Sequence, residues 1–443
     1  MKTLLEALTS NRRESIAGLL AEMEAPQLAD LLESLSPDER ISVWDEIDTQ
    51  VKGDVLVEAH GEVRAQLIEA STPDELAKAM QRLDLDELSD LYDEVPADVI
   101  EAVLAGMDAQ RRIRFELVRE YEQDSAGGLM DVDAIAVRTD ITLAMVLGYL
   151  TLYRTEQGRL PDQLDAVSVT DLDGRYLGRL ALADLVSLDG GQRVFEVMDT
   201  SLSPILATMP AVRVARLFED QNLVSAPVVD ASGRLIGRIT VDDVLDFVRA
   251  QADHTAMAVA GLDEDTDTFA PALASARRRA VWLGINLVNA LIAAAVIGLF
   301  DATIERVVAL AVLMPVVSSM GGVAGTQSLT LVIRALALEH INPANRWRLL
   351  RRELAVAAIN GVVWAAAVGL LASAWFGNTN LSLVFGAAIV VNLVAGVTIG
   401  TLIPLVLERL RIDAVIAGQV LLVAFTDTFG FFVFLGMAAW FLR

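Results

Sequence analysis

The sequence has no cysteine and only three histidines, His60, His254 and His340, far apart along the chain. Without thiols there are no disulfides and no thiolate zinc sites, and the redox compartment stays undetermined. The histidine spacing offers no metal cluster. No nucleophile–base pair, metal-binding histidine pair, phosphate-binding loop or aspartyl-phosphate motif is present, which argues against an enzyme and against an ATP-driven pump. Lysine is missing from the C-terminal part: from Arg277 onward there are 12 arginines, no lysine and 7 carboxylates, a net of +5, whereas the preceding 276 residues hold 23 basic and 53 acidic side chains, a net of −30. A surface that acidic repels nucleic acid and anionic lipid and attracts cations, so nucleic-acid binding is excluded as a function. The opening "MKTLLEALTSNRRESIAGLL" has acids and helical spacing in place of a basic head and apolar core, so no signal peptide is read and the acidic part is expected in the cytoplasm.

What the chain has in abundance is apolar residues, 54% overall, with the strongly apolar stretches all after residue 280. Five stretches, about 281–300, 307–336, 354–376, 381–407 and 415–442, are each long enough to cross a bilayer. Arginines 277–279 precede the first, Arg346, Arg348, Arg351 and Arg352 separate the second and third, and Arg409 and Arg411 separate the fourth and fifth. The alternate loops carry Arg306, the uncharged "GNTN", and Arg443 at the far end. By the positive-inside rule the N-terminal part is cytoplasmic and the C-terminus outside.

Within the last stretch, "AFTDTFGFFVFLG" places Asp427 in mid-membrane, where an unpaired carboxylate costs several kcal/mol, about 3 on insertion scales. It either hydrogen-bonds to a neighbouring helix or lines a water-filled cation path. The second stretch, "MPVVSSMGGVAGTQSLTLVIRAL", has a GxxxG pair at Gly321 and Gly325, read as close helix packing, together with Pro315, Gly322, Gln327 and the hydroxyls of Ser318, Ser319, Ser328 and Thr330. A helix loosened at proline and glycine exposes carbonyls, which with hydroxyls suit a hard cation or its water shell. Asn286, Asn289, Asn360, Asn392 and Gln419 are each read as interhelical contacts, and together with Asp427 as the lining of an aqueous path.

In the acidic part, "LADLLESLSPDER" and "LSDLYDEVPADVI" repeat leucines three or four apart, then a proline and acids at the next helix start, which predicts stacked helical hairpins. Further on, "VTDLDGRYLGRLALADL" (169–185) and "VVDASGRLIGRITVDDV" (228–244) align at an offset of 59, each predicting strand, turn, strand, helix. This segment resembles a pair of CBS modules. Such pairs often hold adenine nucleotides with a Thr or Ser and an Asp three residues later; Thr240 and Asp243 fit, whereas Ala181 precedes Asp184 in the first module. The alternative for Thr240 is an ordinary helix cap.

The acidic helical region, the CBS-like pair, "YEQDSAGGLM" at 121–130, "MGGVAGTQSLTLVIRAL" and "FTDTFG" together closely resemble the MgtE family of magnesium transporters over essentially the whole chain. The resemblance implies a multidomain membrane protein: an all-α superhelical N domain (1–123), an α/β CBS pair (124–248), a connecting plug helix and linker (249–276) and a five-helix transmembrane pore domain (277–443). It implies a homodimer in the membrane lipid, with the pore on the two-fold axis and Asp427 of each copy facing a hydrated ion. The ion-binding set it implies is Asp427, Gly321, Gly322, Val323, Gly325, Gln419 and Val423. Regulatory Mg²⁺ would fall on Asp242, Asp246, Asp253 and Asp413, and ATP at Thr240 and Asp243. Departures are Val323, where the family commonly has asparagine; "GQVLLVAFTD", with Gln419, Val420 and Ala424 where small polar residues, proline and threonines are usual; and Gln251 and His254 in place of acids. These departures bear on preference for Mg²⁺ over Co²⁺ or Mn²⁺ and on the strength of gating. The rival reading is a non-transporting membrane sensor of Mg²⁺ or nucleotide.

Overall fold

A computed structural model describes residues 18–442 except 162, 260, 263, 264, 338, 339, 343, 411 and 413. It separates into two compact units, one of residues 1–253 with 264–271, the other of 254–263 with 272–443.

The first unit begins with short helices: α1 (Ala25–Glu33), α2 (Pro37–Trp44), α3 (Thr49–Glu58), α4 (Gly61–Ala70), α5 (Pro73–Met80), α6 (Leu85–Leu91), α7 (Ala97–Gly106) and α8 (Ala109–Val118). The proline read at the start of α2 sits in a capping box, and α5 repeats it: Glu39 reaches back to Ser36 and Glu75 to Thr72, each with proline in the first turn. Capping holds these helices to two or three turns. Helices α1, α3, α5 and α7 pack in succession, α2 lies on α4, and α6 on α8. Leu31, Leu32, Trp44, Leu56, Leu67 and Met80, all fully buried, fill the space between them.

Two three-stranded sheets follow. The first orders β1 (Ala136–Arg138), β2 (Ala166–Thr170) and β3 (Tyr176–Ala181); the second β4 (Ile205–Leu206), β5 (Ser225–Val229) and β6 (Leu235–Thr240). In each, the outer pairing is parallel and the hairpin antiparallel, with a register shift at the same place, Val169/Thr170 and Val228/Val229. The hairpin turns need positive φ at Gly174 (79°) and Gly233 (81°), which glycine adopts without strain. The tips meet across a local two-fold: the Tyr176 N–H donates to Gly233 O and the Leu235 N–H to Gly174 O, both at 3.0 Å. Helices α9 (Leu143–Gln157), α10 (Leu182–Ser187), α11 (Val194–Val197) and α12 (Ala211–Gln221) flank the strands.

Residues 125–131 pair with the second module: the Ala126 N–H donates to Met209 O (2.7 Å) and Asp131 exchanges backbone bonds with Arg238 (2.8 Å each). The core of the first helices therefore runs on into the second sheet, through Met130, Ile205, Val228 and Ile239, while the first sheet has its own core. Helix α13 (Val241–Val259) starts directly after β6 and covers the whole stretch read as the helix after the second module, so the expected domain boundary at 248/249 falls inside one continuous helix.

The second unit contains α14 (Ala272–Gly298), α15 (Asp301–Arg306), α16 (Ala309–Ala337), α17 (Arg346–Phe376), α18 (Thr379–Leu410) and α19 (Ala414–Phe441). Five of these are long and apolar enough to cross a membrane. Helix α18 is the hub, packed against α16, α17 and α19. Its contact with α16 is backbone on backbone: a methyl group on Gly396 would lie 2.4 Å from Gly321 O, and one on Gly400 2.3 Å from Gly325 O. Contrary to the loosened segment expected from Pro315 and the glycines, α16 is one continuous helix, because Gly321 and Gly325 serve this contact instead of breaking the helix.

Candidate functional site

Asp427 lies on α19, half-buried, and the Ser318 hydroxyl of α16 donates to its Oδ1. These two side chains form one end of an open groove of about 380 Å³ lined by Ser318, Ser319, Gly322, Val323, Thr326, Gln327, Gln419, Val423, Thr426 and Asp427. The groove is built by α16 and α19 alone, and its lining on α16 recurs every three or four residues, the period of one helix face. Of the ion-binding residues named from the sequence, Asp427, Gly322, Val323, Gln419 and Val423 come together here. Gly321 and Gly325 do not: both are buried, Gly321 against Asn392 of α18 and Gly325 between Leu422 of α19 and Gly396 of α18. Val323 is 55% exposed and lays an apolar side chain along a wall otherwise rich in hydroxyls and amides. Gln419 Nε2 donates to Thr326 Oγ1 at 3.4 Å, tying the two walls together opposite the carboxylate end.

Two further polar contacts stand behind the groove. Asn392 of α18, fully buried, donates from Nδ2 to Val317 O at 2.7 Å. Glu353 of α17, 6% exposed, accepts from Ser328 Oγ at 2.9 Å and from Arg352 Nη1 at 3.3 Å. Sequence reasoning missed Glu353 because "RRELAV" reads as part of a basic membrane-edge cluster; an acid among arginines at the start of an apolar run was the available signal.

In the first unit, Asp242, Asp246 and Asp253 are exposed on α13, and spacings of four and seven put them on one stripe. That stripe faces the first helices closely enough for charges to interact. The Glu58 carboxyl is raised by partial burial and then by the negative charge of Asp246, while His60, whose main partner is Glu33 (2.6 Å), feels Asp253. Asp413 lies outside the described residues. Among the described residues no three His, Cys, Asp or Glu side chains gather closely enough to hold a metal ion directly.

Thr240 and Asp243 open α13. Asp243 Oδ2 accepts from the Thr240 N–H (2.8 Å) and hydroxyl (2.7 Å), which is the back-reaching half of a helix cap. The pair also lines a cleft of about 590 Å³ that includes Asp84, Asp86, Glu87, Arg111, Asp131 and Arg238. Burial, then the charges of Asp242 and Asp131, pushes the Asp243 carboxyl up to about 6. Asp86 is driven well above the usual carboxylate range by burial and by Asp131 and Asp243, and its Oδ1 is enclosed without a hydrogen-bond partner. Glu87 is pushed up to about 7, chiefly by burial. Carboxylates from the helices and from the CBS-like modules are thus crowded together at the expense of their ionised forms.

A five-span helical domain with a polar groove around a carboxylate, attached to an acidic helical and paired-module unit, defines a multi-pass membrane protein equipped for cations. Comparison with known proteins gives the family. The MgtE divalent cation transporter family matches at residues 314–437, the MgtE intracellular N domain at 23–124 and the CBS domain at 194–250. The magnesium transporter MgtE of Bacillus subtilis is 30% identical over 82% of this chain and 80% of its own length, and that of Thermus thermophilus is 29% identical over 96% and 97%. A crystal structure of the cytosolic domain of the Mg²⁺ channel MgtE in complex with ATP, 31% identical, covers 55% of this chain and 98% of its own, with a TM-score of 0.50. The chain belongs to the MgtE family of magnesium transporters.

Proposed function

We propose that the protein conducts Mg²⁺ passively into the cytoplasm through a pore formed by two copies, and that cytosolic Mg²⁺ acting on the acidic unit closes it. The observation that carries this reading is the groove at Asp427. Its hydroxyls, amides and carboxylate are intolerable against lipid, since a group left unpaired in hydrocarbon costs several kcal/mol, roughly 2–7. A second copy set groove to groove covers them and opposes two carboxylates across a hydrated path. Mg²⁺ sheds water reluctantly, so side chains that hydrogen-bond its hydration shell suit it better than a tight cage. The membrane potential supplies about 4.6 kcal/mol per divalent ion per 100 mV, enough to drive inward flow without a pump. The arginines at 346–352 support an orientation with the acidic unit inside and the C-terminus outside.

Gating rests on the crowded carboxylates: Glu58 beside Asp246, and Asp86 and Glu87 beside Asp131 and Asp243. Divalent ions neutralise such repulsion by bridging pairs, and the pairs present fit hydrated or two-ligand binding better than a three-carboxylate site. Asp242, Asp246 and Asp253 are the α13 members of this set, and Asp413 completes it by family resemblance. The cleft at Thr240 and Asp243 is the place for an adenine nucleotide, with Arg111 and Arg238 in its lining as phosphate partners.

Mg²⁺ flux into liposomes holding the purified protein tests the reading. Asp427→Asn should abolish most flux with the protein still folded and dimeric; wild-type flux in that variant would refute the ion path. A preference for Co²⁺ or Mn²⁺ over Mg²⁺ is the second reading, favoured by Val323 in the groove wall, and the same assay with each ion distinguishes it.

A further inference from the structure

The side chain of Asn392 is more than a contact between helices. It sits on α18 with no solvent exposure, and its amide fills the space that two missing side chains leave on the two groove-forming helices. A methyl group added to Gly321 of α16 would fall 2.2 Å from Asn392 Nδ2, and one added to Gly430 of α19 would fall 2.7 Å from the same atom. Each glycine is three residues beyond a member of the Ser318–Asp427 pair, close to one turn of helix. The amide is thus wedged between the same two helices whose polar faces meet in the groove.

Its hydrogen bonding is one-sided. Nδ2 donates to Val317 O at 2.7 Å, the carbonyl of the residue just before Ser318. Oδ1 is buried and has no hydrogen-bond partner. A half-paired amide in a low-dielectric interior is a poor choice for stability, because an apolar side chain of the same shape packs equally well and leaves no polar atom unpaired. What an apolar side chain lacks is the donor that grips Val317 O and fixes the rotation of that turn of α16.

We infer that Asn392 is a positioning residue for the ion path: by holding Val317 O it sets the direction of the Ser318 hydroxyl, and through it the orientation of the Asp427 carboxylate toward the hydrated ion. This rests on the reading of the groove as the ion path. The geometry supports action at one remove, since Asn392 touches the backbone behind Ser318 and is absent from the groove lining. A carboxylate with one oxygen held by Ser318 presents its other oxygen in a defined direction, whereas a freely rotating one samples several and binds a hydration shell less well.

The test uses full-length protein in liposomes, with Mg²⁺ flux measured against Mg²⁺ concentration and thermal stability measured on the same preparations. Asn392→Leu keeps the shape and removes the donor; Asn392→Ala is the second variant should leucine fail to accumulate. The Mg²⁺ concentration for half-maximal flux should rise about tenfold in Asn392→Leu, the scale of one hydrogen bond to a charged group, while the thermal midpoint stays at or above that of the wild type. Ser318→Ala should raise half-saturation similarly, and Asn392→Leu combined with Ser318→Ala should be no worse than either alone, because both act through one hydroxyl. Unchanged half-saturation in both Asn392 variants, losses that multiply in the double variant, or reduced flux accompanied by a large drop in thermal midpoint and unmoved half-saturation would each overturn the inference. Asp427→Asn is measured alongside. Wild-type flux there would fail the ion path itself, whereas lost flux there with wild-type behaviour at Asn392 fails only the positioning role.

Discussion

Arg40 is fully buried in α2, and what it holds is the chain segment that leads into the first membrane span. Its guanidinium donates to Leu32 O (2.8 Å), Leu35 O (3.0 Å), Gln66 Oε1 and Asp267 Oδ2 (2.9 Å). Asp267 is itself 9% exposed, and its N–H donates to Glu62 Oε2 at 2.9 Å, while Asp265 accepts from the Gly61 N–H at 3.2 Å. Residues 265–267 are thereby fastened to the start of α4, five residues before α14 begins at Ala272. Arg40→Ala strands a buried carboxylate and two carbonyls, and removing one partner of a buried pair costs about 3–5 kcal/mol. Asp267→Asn keeps an acceptor for Arg40 and loses only the charge, at about 1–2 kcal/mol, the difference between a charged and a neutral hydrogen bond. Since each 1.4 kcal/mol is a factor of about ten, Arg40→Ala should raise the population of the locally open state by roughly two to three and a half orders of magnitude, and Asp267→Asn by about tenfold. Amide hydrogen exchange of the full-length protein, read by mass spectrometry, measures this: the arginine variant should lose protection across α1, α2, α4 and 265–271, the asparagine variant in 265–271 alone. Protection in 265–271 equal to the wild type in Arg40→Ala would refute the fastening.

Gly400→Ala places a methyl group 2.3 Å from Gly325 O, a backbone atom that cannot swing aside, so α16 and α18 must separate; a loss of about 1–3 kcal/mol, the usual cost of overpacking, should appear as a lower thermal midpoint in detergent. Val323→Asn should raise Mg²⁺ flux relative to Co²⁺ or Mn²⁺ in liposomes, and an unchanged ratio would remove residue 323 from the selectivity argument. Burial raises Glu87 to about 7 and Asp90 and Asp243 to about 6, so the folded state binds more protons than the unfolded one across that range. The stability these groups contribute is present below their unfolded pKa, about 4, and is lost as pH rises to about 7. Without divalent ions the acidic unit should therefore resist protease better at pH 5.5 than at pH 8, and Mg²⁺ should restore resistance at pH 8. Equal digestion at both pH values would contradict the crowding of these carboxylates.

The chain's order along the sequence was legible because it rests on local physics. Apolar stretches of bilayer length, leucines three or four apart followed by a proline and acids at the next helix start, and two glycine turns at an offset of 59 each specify an element from neighbours a few residues away. Asp427 was legible too, since a charge within an apolar span stands out by composition alone. The roles of the glycines were not. Gly321, Gly322 and Gly325 look alike in "MGGVAG", yet Gly322 lines the groove while Gly321 and Gly325 carry the contact with Gly396 and Gly400, a distinction set by which side of α16 meets α18. Nor could the sequence pair Ser318 with Asp427, Asn392 with Val317, Ser328 with Glu353 or Arg40 with Asp267, partners separated by 109, 75, 25 and 227 positions. A helix's existence follows from its own periodicity, but a hydrogen bond between helices depends on the rotation and approach of both, and those are decided only when the whole core packs.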